Sequence, residues 1–191
     1  KKYNLKVVED AAQAPGVYYK NLPLGTIGDI GGFSFNFHKH IHTGEGGLIV
    51  TNDDDLAMKS RLIRNHGENA IDHYQIKDLS NSIGSNYRFT ELQAAIGIAQ
   101  FKKLKKILDH RTMIGKALSN RLKDIQGIEI QKIERDCTHA YYMYPIKFDN
   151  KFFNIPRNLF VKAVSAELPK PMFWDTTPMA EGYIEPLYWN T

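Results

Sequence analysis

Residues 31–47 have the sequence GGFSFNFHKHIHTGEGG, and this stretch decides the fold class. Phenylalanine alternates with small and polar residues over 32–37, which predicts a strand. Lys39 lies just beyond the end of that strand, and the glycines that follow it predict a turn. The apolar segment 47–51 predicts a further strand, so the lysine lies between two predicted strands.

Short strands alternate with helices on both sides of this stretch. Residues 5–10 predict a buried strand, which is followed by a turn or short helix over 11–14. On the other side, Asn52 or Asp53 is expected to cap a helix that runs to about Asn65. This alternation predicts an α/β architecture of packed layers.

The longest helical pattern begins near the middle of the chain. Thr90 and Gln93 have the spacing of a capping box. Apolar residues recur at helical spacing from there to Leu122, which predicts one long helix. A strand over 140–148 and a helix over 156–167 are expected after it. The tail beyond them is rich in proline and aromatic residues and has no clear period.

The predicted strands bring two ionisable groups to their ends. Asp10 ends one strand, and Lys39 follows the next. A lysine amine can form a Schiff base with the aldehyde of pyridoxal phosphate, and a carboxylate can keep the pyridine nitrogen protonated so that the ring accepts electrons. The pair therefore suggests a pyridoxal phosphate site. The alternative for Asp10 is an N-cap after a strand, which is a common use of aspartate.

Three stretches of the chain together resemble one known family. They are EDAAQA at residues 9–14, the stretch 33–47, and GSNYRFTELQAA at residues 84–95, in the family's order. The chain thus resembles the DegT/DnrJ/EryC1/StrS-type nucleotide-sugar aminotransferases. The resemblance implies an α/β fold that is part of the pyridoxal phosphate-dependent transferase fold of type I. That fold has a three-layer α/β/α large domain, here joined to part of a small C-terminal α+β domain.

The resemblance implies roles for five residues. Lys39 would form the Schiff base and move protons, and Asp10 would pair with the pyridinium nitrogen. Gln13 would lie near the cofactor ring, and the hydroxyl of Ser34 would bind the cofactor phosphate. Asn86 would reach the cofactor phosphate of the partner subunit, which implies a homodimer. The alternatives for the last three are a solvent-facing glutamine, a strand serine and a turn asparagine.

The resemblance also implies a reaction and a domain division. The substrates would be a nucleotide-linked keto-sugar and glutamate or glutamine as amino donor. Residues 1–88 would be the C-terminal half of the cofactor-binding domain, 89–124 a linking helix, and 125–191 part of the small domain. The N-terminal half of the large domain is expected to be absent from this sequence. A non-catalytic sensor or assembly fragment with the same fold is the alternative function.

Histidines around Lys39 suggest other chemistry. His38, His40 and His42 would face one way on an extended segment and could ligate zinc. No cysteine or obvious fourth ligand accompanies them, so we expect no metal and expect the histidines to line the sugar or cofactor site. Some family members have histidine in place of the lysine and catalyse dehydration, and Lys39 argues against that branch.

The composition is that of a soluble globular protein, with 42% hydrophobic and 24% charged residues. Part of the net charge of +4 comes from the lysine cluster at 102–106. We interpret this cluster as the solvated face of an amphipathic helix rather than a nucleic-acid patch. Cys137 is the single cysteine, so no internal disulfide can form, and a buried thiol is expected. We expect no nucleic-acid or membrane partner and a cytoplasmic location.

Overall fold

The computed structural model of the chain describes residues 2–68 and 83–168. These described residues divide into two compact units, the first within the ranges 1–118 and 132–144 and the second within the ranges 119–131 and 145–191. The elements in chain order are β1 (Val8–Asp10), β2 (Tyr18–Tyr19), β3 (Leu22–Pro23), β4 (Ile30–Ser34), β5 (Gly47–Val50), α1 (Asp54–Arg64), α2 (Glu91–Phe101), α3 (Leu104–Leu122), β6 (Ile128–Ile130), β7 (Ile146–Phe148), α4 (Asn150–Phe153) and α5 (Arg157–Glu167).

A three-stranded sheet in the order β1-β4-β5 is the frame of the first unit. Strands β1 and β4 run parallel, with Asp10 opposite Gly32, and β5 runs antiparallel to β4, with Gly47 opposite Ser34. Because parallel strands point the same way, the carboxyl ends of β1 and β4 lie at one edge of the sheet. The connection between β4 and β5, which carries Lys39, lies at that same edge.

One carboxylate fixes the loop that enters β4. Gly25 and Ile27 donate their backbone N–H groups to the carboxylate of Glu9 at 2.8 and 2.6 Å. Gly28 donates to the same carboxylate. Burial opposes ionisation of Glu9, but the three N–H groups outweigh it and lower the pKa of this carboxyl below its ordinary value. We call residues 25–28 the Glu9 loop.

Backbone conformation and close packing explain why two positions of this region are glycine. Gly25 has a φ of +87°, a conformation that favours glycine because other residues meet a steric penalty there. A Cβ atom on Gly31 would collide with the backbone of Gly25. The Glu9 loop can therefore lie directly against β4.

Side chains cap the two helices that follow the sheet. The carboxylate of Asp53 accepts the N–H groups of Asp55 and Leu56 at 3.0 and 3.1 Å, so Asp53 is the cap of α1. Thr90 and Gln93 form both hydrogen bonds of a capping box, which confirms the predicted start of α2.

The prediction of one long helix is wrong at Lys102 and Lys103. There the N–H of Lys103 bonds the carbonyl of Gln100, three residues back, and a turn separates α2 from α3. Leu104 is buried while the four lysines of the cluster are exposed, which confirms the amphipathic interpretation of 102–106. No glycine or proline lies at the break, so the sequence carries no signal for it.

Four strands are shorter than predicted, one of them the predicted strand 47–51, which ends at Val50. The predicted strand 5–10 is formed only at β1, and the predicted strand 32–37 is formed at 30–34. The predicted strand 140–148 is formed only at β7, because Tyr141 has a φ of +48° that no strand accommodates. Cys137 is half-buried rather than buried as predicted, and its backbone bridges to that of Tyr19.

In the second unit, β6 and β7 pair in antiparallel fashion, with Ile128 opposite Phe148. The ring of Phe148 stacks on those of Phe153 and Phe160 at centroid distances of 4.9 and 4.3 Å. Pro156 precedes α5, which confirms the helix predicted there. The tail from 168 to 191, in which the sequence shows no clear period, lies outside the described residues from 169 onward. Within the described ranges, no helix is long and apolar enough to span a membrane.

Candidate active site

A carboxylate and a hydroxyl lie at the edge of the sheet where β1 and β4 end. Asp10 ends β1 and is exposed, and one of its carboxylate oxygens accepts the N–H of Ala12 at 3.0 Å. Ser34 ends β4 and is half-buried, and its hydroxyl oxygen accepts the N–H of Asn36 at 3.3 Å. Both side chains close short turns at the strand ends, and residues 11–14 form a turn rather than a helix.

Lys39 follows in a tight turn. Its backbone N–H donates to the carbonyl of Asn36 at 2.9 Å, so the chain reverses directly after the strand. Its half-buried side chain reaches the aromatic ring of Tyr142, and Nζ lies 4.6 Å from the ring centroid. We call residues 36–46 the Lys39 turn.

Glu45 stabilises the Lys39 turn through three hydrogen bonds. Its carboxylate accepts from the side-chain amide of Asn36 at 2.7 Å. Its backbone carbonyl accepts from the hydroxyl of Thr43 at 2.9 Å and from the amide of Gln93 at 2.8 Å. Gln93 belongs to the capping box of α2, so the start of that helix is tied to the turn that carries the lysine.

The three histidines have separate surroundings. The ring of His38 lies against that of Phe37 at 3.7 Å, and His42 Nδ1 accepts from the N–H of Gly44 at 3.5 Å. His40 is only 5% exposed, and its Nε2 lies 2.9 Å from the carbonyl oxygen of Ala140. Residues 38–41 form turns and bends. The zinc alternative required an extended segment at these histidines, so its premise is wrong.

Burial keeps His40 neutral. The pKa of His40 lies below its ordinary value chiefly because of burial. The hydrogen bond to Ala140 opposes this effect, and the positive charges of Arg111 and Lys39 add to it. Since a carbonyl only accepts, Nε2 carries the proton and donates to it. Nδ1 is buried without a hydrogen-bond partner among the described residues, which also favours the neutral ring.

A second segment completes the surroundings of Lys39. Nη1 of Arg111 on α3 donates to the carbonyl of Tyr141 at 2.8 Å and lies 3.4 Å from that of Tyr142. Tyr141 is buried, and its ring covers Gly115 so closely that a Cβ atom there would collide with it. Sequence reasoning assigned these tyrosines to a strand and missed their position beside the lysine. The run of aromatic residues at 141–144 was the available signal.

The two remaining predicted site residues, Gln13 and Asn86, lie on other loops than the Lys39 turn. Gln13 is exposed in the turn after β1. Asn86 is exposed on the loop before α2, where its side-chain oxygen lies 3.4 Å from the N–H of Arg88. Arg88 in turn donates to the side chain of Asn65 at 2.6 Å. The cofactor contacts predicted for Gln13 and Asn86 stay predictions.

Solved structures with the same fold define the class of protein. The Helicobacter pylori enzyme PseC, an aminotransferase involved in the biosynthesis of pseudoaminic acid, matches with a TM-score of 0.73 and 29% identity. This match covers 87% of the chain and 44% of PseC. An aminotransferase from Psychrobacter cryohalolentis matches with a TM-score of 0.74 and 30% identity, over 87% of the chain and 46% of that protein. The predicted α/β fold of the pyridoxal phosphate-dependent aminotransferases is confirmed.

The chain belongs to the DegT/DnrJ/EryC1/StrS aminotransferase family, whose sequence model matches residues 1–180. GDP-perosamine synthase of Caulobacter vibrioides is 39% identical over 77% of the chain and 39% of that protein. EpsN of Bacillus subtilis, provisionally named a pyridoxal phosphate-dependent aminotransferase, is 36% identical over 66% of the chain and 31% of that protein. The chain spans about half or less of the length of the curated relatives it matches.

Proposed function

We propose that the chain is part of a pyridoxal phosphate-dependent aminotransferase that acts on a nucleotide-linked keto-sugar, with glutamate or glutamine as amino donor. The observation that carries the proposal is the grouping of Asp10, Ser34 and the Lys39 turn at one edge of the sheet. The names of the relatives, which include GDP-perosamine synthase, support a nucleotide-sugar substrate.

The chemistry of these groups fits pyridoxal phosphate. When bound, this cofactor supplies an aldehyde that bonds an amine and a ring that accepts electrons. Lys39 would hold it covalently through Nζ. Once the amino group of the donor has displaced Nζ, the freed amine would take and return the proton that moves between the donor and cofactor carbons. The carboxylate of Asp10 would keep the proton on the ring nitrogen, and the hydroxyl of Ser34 would donate to the phosphate.

Two further residues would complete the site. Gln13 would approach the ring from the turn after β1. Asn86 would reach the phosphate of the partner subunit, so the complete protein would be a homodimer with shared active sites. In this proposal residues 1–88 belong to the cofactor-binding domain, 89–124 link the domains, and 125–191 belong to the small domain.

The charge of Asp10 gives the sharpest test of the proposal. In the complete protein, Asp10→Asn keeps the shape of the side chain and removes the charge. We expect amino transfer from glutamate to the cofactor to slow by about 10²- to 10³-fold, as when a preorganised electrostatic partner is removed. Asp109→Asn, at an exposed carboxylate on α3, is the matched control and should leave the rate unchanged. Transfer at the normal rate in Asp10→Asn would refute the role of Asp10, and no transfer by the unaltered protein would favour a non-catalytic module.

A further inference from the structure

We propose that the face of the Tyr142 ring is the resting place of the Lys39 ammonium group whenever this amine is not bonded to the cofactor. The inference rests on the proposed function, which makes Lys39 the cofactor-binding residue. Tyr142 would act through Lys39 and is therefore a positioning residue rather than a catalytic one.

The distance between the two groups carries the inference. The Lys39 Nζ atom lies 4.6 Å from the centroid of the Tyr142 ring, within the range at which the negative face of an aromatic ring attracts a cation. Lysine side chains are flexible, so an ammonium group at a fixed place needs an attraction that offsets the lost rotamer freedom. The ring provides this attraction without an acid that would compete for the proton.

The segment that carries the ring is held by two contacts to the residues just before Tyr142. His40, the residue next to the lysine, donates to the carbonyl of Ala140 at 2.9 Å. The rings of His40 and Tyr142 lie 5.6 Å apart. Arg111 binds the carbonyl of Tyr141 at 2.8 Å, so the backbone before Tyr142 is fixed from α3. The Lys39 turn and the segment that carries the Tyr142 ring are thus joined by the hydrogen bond between His40 and Ala140.

This arrangement distinguishes the two protonation states of the amine. An ammonium group is attracted to the ring face, whereas a neutral amine loses the electrostatic attraction. The lysine would therefore rest on Tyr142 while it carries a proton and leave it after giving the proton up. The reactive amine would stay close to its site between the two halves of the reaction.

The test compares two substitutions at one position. Tyr142→Phe keeps the aromatic face, and Tyr142→Leu removes it while keeping an apolar side chain. The complete protein is freed of cofactor and treated briefly with acetic anhydride, and acetylation of Lys39 is measured by mass spectrometry. Exposed Lys106 serves as the internal standard. We expect about two- to fivefold faster acetylation of Lys39 in Tyr142→Leu, the value of one cation–π contact, and the unaltered rate in Tyr142→Phe.

Equal acetylation of Lys39 in all three proteins would overturn the inference, and so would equal acceleration in both variants. Tyr142→Met replaces the leucine variant if circular dichroism shows that the latter is unfolded. Borohydride reduction of the unaltered protein with pyridoxal phosphate runs in parallel. Cofactor fixed to Lys39 with unchanged acetylation in Tyr142→Leu would refute only the role of Tyr142. The absence of any fixed cofactor would refute the proposed function instead.

Discussion

The Glu9 loop and the Lys39 turn flank the same strand, but different kinds of contact hold them. The Glu9 loop depends on one carboxylate that accepts three backbone N–H groups within 19 residues of it. The Lys39 turn depends on side-chain contacts within the turn and on a contact from another part of the first unit, that of Gln93 on α2. The first arrangement fixes the frame of the sheet, and the second positions a reactive group against that frame. Substitutions in the Glu9 loop and in the Lys39 turn should therefore differ in their effects on stability and on hydrogen exchange.

The largest loss of stability is expected when the Glu9 loop is broken. Glu9→Gln keeps the size of the side chain but replaces one acceptor oxygen with an NH₂ group that faces N–H donors. We expect the free energy of unfolding of the complete protein to fall by about 2–3 kcal/mol, the value of hydrogen bonds to a charged group. Urea unfolding of both proteins measures this change in the free energy of unfolding.

Glu91→Gln is the control for this change, because it removes the same charge from an exposed position at the start of α2. It should cause a much smaller loss than Glu9→Gln. Equal losses in the two variants would show that charge, rather than the contacts of the Glu9 loop, determines the effect.

A smaller effect is expected when the Lys39 turn loses its tie to α2. Gln93→Ala removes one half of the capping box and the bond to the carbonyl of Glu45. The expected loss is about 1–2 kcal/mol. Amide hydrogen exchange should accelerate at residues 43–46, while β1 and β4 keep their protection.

Gln100→Ala, near the other end of α2, is the matched control and should leave exchange in the Lys39 turn unchanged. If β1 and β4 were to exchange faster together with the turn in Gln93→Ala, the two regions would not be independent.

The smallest effect concerns pH. The pKa of His40 is depressed in the folded protein, and that of His139 is depressed by burial as well. Below the ordinary histidine value of about 6.5 the unfolded chain binds these protons first, so stability falls as the pH drops. Each such histidine contributes at most about 1.4 kcal/mol per pH unit until its folded pKa is passed.

His40→Gln should reduce the slope of stability against pH below about 6.5, and His139→Gln should reduce it separately. Urea unfolding at several pH values measures both slopes. An unchanged slope in His40→Gln would contradict the neutral, buried state of this ring beside Lys39 and Arg111.

The parts of the fold that follow from the sequence are local. The capping box of Thr90 and Gln93, the cap at Asp53 and the strand before the lysine all depend on residues within a few positions of one another. Short-range patterns of this kind are visible in a single sequence. The candidate residues Lys39, Asp10 and Ser34 come from motifs, and their roles stay predictions.

The rest depends on contacts that no local pattern reveals. Gln93 contacts Glu45 across 48 residues, and His40 contacts Ala140 across 100. The left-handed conformation of Tyr141 ends the predicted strand 140–148, because the N–H of Tyr141 donates to His139 and its carbonyl accepts from Arg111 instead of pairing with a second strand. The break between α2 and α3 likewise has no glycine or proline to mark it.

The most direct test of the account is to find the lysine that binds the cofactor. The complete protein is incubated with pyridoxal phosphate, reduced with borohydride, digested and analysed by mass spectrometry. We predict that the fixed cofactor lies on the peptide that contains Lys39, that Lys39→Ala abolishes it, and that Lys106→Ala, at an exposed lysine on α3, retains it. Cofactor fixed in full amount to another lysine, or retained in Lys39→Ala, would contradict the account.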